Sequence, residues 1–168
     1  MNLFIQFYFL SKNYLKGSNH IILNNGFSDV YEICKNKGDF LWIEDKKGNI
    51  SPFDIPRDIP RDISKVYISC FLVSQLYRSY ITSKINPDIK FIIGGPALLS
   101  LKVIKDLPKN LELYYGNLED YFKLSYNSKW GIDIPNFISK DDEVYFTYNI
   151  RNYCKWNKCR YCVHSCNY

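Results

Sequence analysis

The chain has 168 residues, 46% of them hydrophobic and 17% aromatic, which is enough to bury one packed domain plus a small extension and excludes a disordered tail. The formal net charge is +5, yet 17 of the 22 basic residues are lysines scattered along the whole length. A nucleic-acid surface gathers Arg and Lys on one face, so this scatter argues against one.

Residues 2–10 are rich in Phe, Ile and Tyr and predict a first strand. Their apolar run, 3–10, is interrupted by Gln6 and is far shorter than the ~20 residues of a membrane-spanning helix. It has neither a basic leader nor a small-residue cleavage site, so a cytoplasmic protein without a membrane partner is expected. Residues 19–24 predict a short strand or loop, and Ser28-Asp29 opens a short helix over 29–35 that ends before Gly38. Residues 40–44 are apolar and extended. Lys46-Lys47-Gly48-Asn49 is a turn signal, so 40–53 predicts a hairpin. The repeated Asp-Ile-Pro-Arg of 54–61 forbids a regular helix or a central strand and reads as an extended connector.

From residue 63 the pattern changes. Residues 66–73 form a continuous apolar run with β-branched members, as a strand buried on both faces requires. Residues 74–85 have helical spacing at Leu76, Tyr80, Ile81 and Ile85, and Asn86-Pro87 stops them. A second buried strand, 89–93, runs straight into Gly94-Gly95-Pro96. A helix over 98–107, a strand over 111–115 and a helix over 118–125 follow. Alternating strands and helices predict a parallel α/β unit. Residues 126–143 read as a linker and 144–150 as a new strand.

Ligands of open parallel sheets bind beyond the carboxyl ends of the strands, and glycine there lets the backbone approach closely. Gly94-Gly95-Pro96 is therefore either a ligand-facing turn or only a tight strand-to-helix turn. It matches neither a dinucleotide fingerprint nor a phosphate loop.

Four of the six cysteines lie in the last 15 residues, spaced Cys154-x4-Cys159-x2-Cys162-x3-Cys166. Disulfide frameworks spread through small secreted domains, so the clustering points to a metal. Cys34 and Cys70 sit in apolar stretches and are expected as buried core thiols. Closely spaced thiolates select an iron–sulfur cluster or zinc. An iron–sulfur cluster is the leading reading. A zinc site with Cys166 or His164 as fourth ligand and unliganded cysteines stay open as alternatives. Arg151, Lys155, Lys158 and Arg160 accompany the cysteines, and no acidic residue occurs from 144 onward. Such positive charge favours thiolates and offsets the charge of a sulfur-ligated cluster.

The succession "VYISCFLVSQLYRSYITSKINPDIKFIIGGPALLS", "YYGNLEDYF", "YFTYNIRNYCKWNKCRYC" resembles radical SAM (S-adenosylmethionine) enzymes with an N-terminal cobalamin-binding-type domain. The resemblance covers about residues 63–162. It implies a flavodoxin-like parallel sheet with flanking helices over 1–127, a linker over 128–143, and over 144–168 the first strand and cysteine loop of an incomplete radical SAM barrel. It also implies that Cys154, Cys159 and Cys162 hold a [4Fe–4S] cluster whose open iron binds S-adenosylmethionine. Tyr161 would lie beside the adenine, and Ser69, Gly94, Gly95 and Pro96 would line the cofactor end of the α/β domain.

The sequence departs from that family in three ways. The family spacing is C-x3-C-x2-C, whereas the first gap here holds four residues. The cobalamin-ligating D-x-H-x-x-G is missing, since His20 is followed by Ile21-Ile22-Leu23-Asn24-Asn25, so cobalamin is only a weakly implied cofactor. A complete barrel needs well over ~100 residues beyond the cysteine loop. The expected protein is thus an N-terminal portion, either a truncated product or a piece that works with a separately encoded remainder, with a reductant protein as a further partner. A non-catalytic α/β binding module with a zinc-binding tail is the competing expectation.

Overall fold

The computed structural model describes residues 1–12, 19–23, 31, 34–45, 59–100, 106–116, 118–123 and 143–146. In chain order the elements are β1 (Asn2–Lys12), β2 (Asn19–Leu23), β3 (Asp39–Glu44), β4 (Lys65–Ser69), α1 (Val73–Ile85), β5 (Lys90–Gly94), a 3-10 helix (Pro96–Ser100), β6 (Leu111–Leu113), α2 (Leu118–Phe122) and β7 (Glu143–Phe146).

The core of the fold is a run of five parallel strands in the order β3-β1-β4-β5-β6. Helices cover both of its faces, so the chain is an α/β protein. The apolar runs form the central strands for the reason the sequence suggests. Val66 and Ile68 point to one face and Tyr67 to the other, and Phe91, Ile92 and Ile93 alternate in the same way; all six are buried. On the first face, Leu3, Ile5, Phe7, Val66, Ile68, Phe91 and Ile93 pack with Leu76 of α1 and with Ala97 and Leu98 of the 3-10 helix. The second face is aromatic. Phe4 stacks between Phe40 and Tyr67 at 5.1 and 4.9 Å, and Phe122 and Tyr121 of α2 lie against Tyr67. Cys34, beside a helical turn in which Lys35 N donates to Tyr31 O, is buried in this second cluster.

β1 is longer than its neighbours and organises the rest. Along its first half it pairs in parallel with β3 on one edge and β4 on the other. Tyr8 pairs with Glu44 of β3 and also with Leu23 of β2, one on each edge. β2 therefore continues the β4 edge of β1, end to end with β4 and antiparallel to β1. β7 pairs in parallel with β2.

Several boundaries differ from the sequence reading. The run 66–73 is a strand only to Ser69, and α1 begins at Val73. The helix expected over 98–107 is a 3-10 helix through Ser100, with Asp106 at φ 62° and residues 101–105 outside the described set. α2 is shorter than expected because Lys123 takes φ 54°. β3 pairs in parallel with β1, and the residues that would close a 40–53 hairpin lie outside the described set, as does most of the 54–61 connector. The expected strand 144–150 is described only as β7, and it belongs to this sheet.

The largest surprise is the orientation of α1. Its buried residues are Gln75, Leu76, Arg78, Ser79, Thr82 and Ser83. Of the apolar positions that marked it as a helix, only Leu76 is fully buried; Tyr80 and Ile81 are half-buried and Ile85 is exposed. The inward polar side chains are satisfied locally. The Ser79 hydroxyl donates to Gln75 O at 2.8 Å, the Thr82 hydroxyl to Arg78 O at 3.0 Å, and the Ser83 hydroxyl to Tyr80 O at 2.8 Å. Internal bonding of this kind lets small polar residues pack close to a sheet without an unsatisfied group.

Candidate functional site

Ser69, Gly94, Gly95 and Pro96 come together at the carboxyl ends of β4 and β5. Ser69 and Gly94 are direct partners in the β4–β5 register. The two turns are bonded to each other: Cys70 N donates to Gly94 O at 2.8 Å, and Ala97 N donates to Cys70 O at 3.0 Å.

The two glycines have different reasons to be glycine. Gly95 has φ +100°, and a Cβ placed on it would lie 2.5 Å from Cys70 O and 2.9 Å from Cys70 N. Both are backbone atoms fixed by the bonds just described. Gly95 is thus accounted for by close packing of the two turns. A Cβ on Gly94 would meet only Tyr114 O, at 3.5 Å, an ordinary contact. Gly94 is the position of the pair that internal packing does not explain.

A buried polar cluster, which sequence reasoning missed, holds the turn after β4. Gln75 Oε1 accepts hydrogen bonds from Phe71 N at 2.7 Å and Leu72 N at 3.2 Å, so it caps the start of α1. Gln75 Nε2 donates to Asp45 Oδ2 at 2.5 Å, and Arg78 Nη2 donates to Asp45 Oδ1 at 2.6 Å. Asp45 directly follows β3, and its backbone N–H donates to Tyr8 O at 2.7 Å. One carboxylate therefore ties the carboxyl end of β3 to α1 across β1. Arg78 is 1% exposed and Asp45 5% exposed, and the guanidinium lies 5.5 Å from the Phe7 ring centroid. The one local signal was Gln75 itself, an amide at the third helical position, where a side chain can reach back to the cap.

The Cys70 thiol is fully buried and shares a 3.4 Å hydrogen bond with the Ser79 hydroxyl; burial pushes its pKa up to about 12 against smaller opposing effects of Ser79 and Arg78. Burial also pushes the Cys34 thiol up to about 12. Neither supplies a thiolate near neutral pH. Both are the buried core thiols expected from their apolar surroundings.

Cys154, Cys159, Cys162, Tyr161, His164 and Cys166 lie outside the described residues. Among the described residues, no three His, Cys, Asp or Glu side chains are grouped to hold a metal ion, and no helix is long and apolar enough to cross a membrane. The element leading to the cysteines is described: β7 ends at Phe146, eight residues before Cys154. Compared with protein-family models, curated proteins and solved structures, the chain matches none.

Proposed function

We propose that the chain is the N-terminal portion of a radical SAM protein, with Cys154, Cys159 and Cys162 holding a [4Fe–4S] cluster beside a flavodoxin-like domain. The observation that carries this reading is the succession, in one chain, of a parallel sheet with flanking helices, a Gly-Gly-Pro turn at the carboxyl end of a central strand, and a C-x4-C-x2-C segment after β7. With β2 left aside as an antiparallel addition to β1, the strand order β3-β1-β4-β5-β6 follows the flavodoxin-like pattern, in which the chain reverses direction across the sheet between β1 and β4. Ligands of such sheets bind at the carboxyl ends beside that reversal. Ser69 lies on β4 there, next to Gly94.

The donor set suits the group. Three thiolates leave one site of a four-iron cluster open, and Lys155, Lys158 and Arg160 between them offset its negative charge. Once bound, such a cluster supplies the electron for reductive cleavage of S-adenosylmethionine. The protein's part is to hold the ligands, exclude water and position the cofactor. Tyr161, next to the last ligand, offers a ring for the adenine. Corrinoid binding, if present, would use Ser69, Gly94 and Pro96 without a histidine ligand from a D-x-H-x-x-G motif. The rest of the radical SAM domain would come from further sequence or a second chain, and electrons from a reductant protein.

Anaerobic reconstitution with iron and sulfide tests this. The expected product is a brown protein that loses its colour on Cys154→Ala, Cys159→Ala or Cys162→Ala and keeps it on Cys166→Ala. A colourless protein carrying one zinc would favour the alternative, a non-catalytic α/β module with a zinc-binding tail.

A further inference from the structure

α1 presents an apolar surface outward at the carboxyl end of β4. Phe71, Leu72, Val73 and Tyr77 are 39%, 38%, 49% and 54% exposed. Val73 and Tyr77 lie one helical turn apart on one face, and Phe71 and Leu72 flank the helix start. Gln75, Arg78, Ser79, Thr82 and Ser83 of the same helix are buried. Leu76 and Tyr80 pack on the sheet, whereas the Val73–Tyr77 side is a second apolar stripe turned toward something other than its own sheet.

The strand register identifies what lies nearest. Tyr8 is level with Leu23, and Leu23 with Phe146. Gln6 is level with Ser69, and Ser69 with Gly94. β2 shares an edge of β1 with β4, so β7, one strand further out, is in line with β5. β7 runs toward β5, and Phe146 stands two residues, about 7 Å, beyond the level of Gly94. The line of β7 prolonged beyond Phe146 meets the Gly94-Gly95-Pro96 turn, and the turn carrying Phe71 and Leu72 is one strand spacing to the side. The next residues, Thr147-Tyr148-Asn149-Ile150-Arg151-Asn152-Tyr153, hold three large apolar side chains. Seven residues reach up to ~25 Å when extended, ample to cross the start of α1.

We infer that residues 147–153 dock on Phe71, Leu72, Val73 and Tyr77, with Tyr148, Ile150 and Tyr153 covering the apolar start of α1. This contact delivers Cys154 to the end of the sheet where Ser69 and Gly94 lie. It needs no metal, so it stands or falls separately from the cluster assignment.

Hydrogen exchange of the full chain, read by mass spectrometry with and without iron reconstitution, tests it against Val73→Asp and Tyr77→Asp. Both side chains are exposed, and at Val73, in the first turn, an aspartate also favours the helix through its dipole, so the fold is expected to survive. Amides of β4 and β5 report that directly. The expected result is that residues 147–153 are protected in the unaltered protein at every protein concentration. That protection falls about tenfold in each variant while β4 and β5 are unchanged. Three results would overturn the inference: no protection of 147–153, protection indifferent to both substitutions, or protection that disappears on dilution, which would assign the patch to a second copy of the chain.

Discussion

Replacing Gly95 by alanine should destabilise the protein severely, while the same change at Gly94 should not. At Gly95 the new Cβ would enter within 2.5 Å of Cys70 O and 2.9 Å of Cys70 N, on a residue with φ +100°. The conformational penalty alone is about 1–3 kcal/mol. Relief of the clash requires the two turns to part, which weakens Cys70 N to Gly94 O and Ala97 N to Cys70 O, at about 1 kcal/mol each. Together these give about 3–5 kcal/mol, a large share of the stability of a typical domain. With a urea m-value of about 2 kcal/mol/M, the unfolding midpoint should fall by about 1.5–2.5 M. Gly94→Ala meets only Tyr114 O at 3.5 Å and should cost below ~1 kcal/mol. Equilibrium urea unfolding followed by circular dichroism makes the comparison. Equal midpoints for the two variants would refute the packing role assigned to Gly95.

Asp45→Ala leaves the Arg78 guanidinium buried without that carboxylate and should cost about 3–5 kcal/mol in the same assay. Asp45→Ala combined with Arg78→Met should cost less than the sum of the two single changes, because no lone charge is then left buried. The buried Cys34 and Cys70 should resist an aromatic disulfide reagent in the folded protein at pH 8 and react fully in denaturant, as a titration with and without urea would show. The pH dependence follows from the same thiols and from Tyr67, all pushed up to about 12 chiefly by burial. A folded-state pKa raised above the unfolded value means that the folded state keeps protons the unfolded state has released. Stability from these groups is therefore full below the unfolded thiol pKa near 9 and is lost as pH rises toward 12. Thermal unfolding at pH 8, 9.5 and 10.5 should show a falling midpoint. By contrast, Glu112→Gln, which breaks the exposed 2.7 Å pair with Lys90, should change stability by less than ~1 kcal/mol.

What could be read from the residues alone was what depends on local pattern. The apolar runs 66–73 and 89–93 marked central strands because burial on both faces leaves no alternation, although the first strand ends at Ser69. Gly94-Gly95-Pro96 marked the turn, although only the neighbouring Cys70 backbone explains why the second glycine is required. Relations between distant segments were not legible. The Asp45–Gln75–Arg78 cluster joins residues 30 and 33 positions apart, and no periodicity reports such a bond. α1 was found as a helix from its apolar spacing, but that spacing did not give its buried side: Leu76 and Tyr80 face the core, and Ser79, Thr82 and Ser83, which satisfy their own hydroxyls, face the sheet with them. The placing of β2 and β7 on the extension of β1 depends on strand register, which a single sequence does not specify. The cysteine spacing, in turn, is legible only as chemistry, through the ligand preference of clustered thiolates.

The most direct measurement of the central claim is iron and acid-labile sulfide content with Mössbauer spectroscopy on anaerobically reconstituted protein. The account predicts about four irons and four sulfides per chain, with one iron site spectroscopically distinct and perturbed by S-adenosylmethionine. A chain that takes up a single zinc in preference to iron, or iron that remains after Cys154, Cys159 and Cys162 are all replaced by alanine, would contradict it.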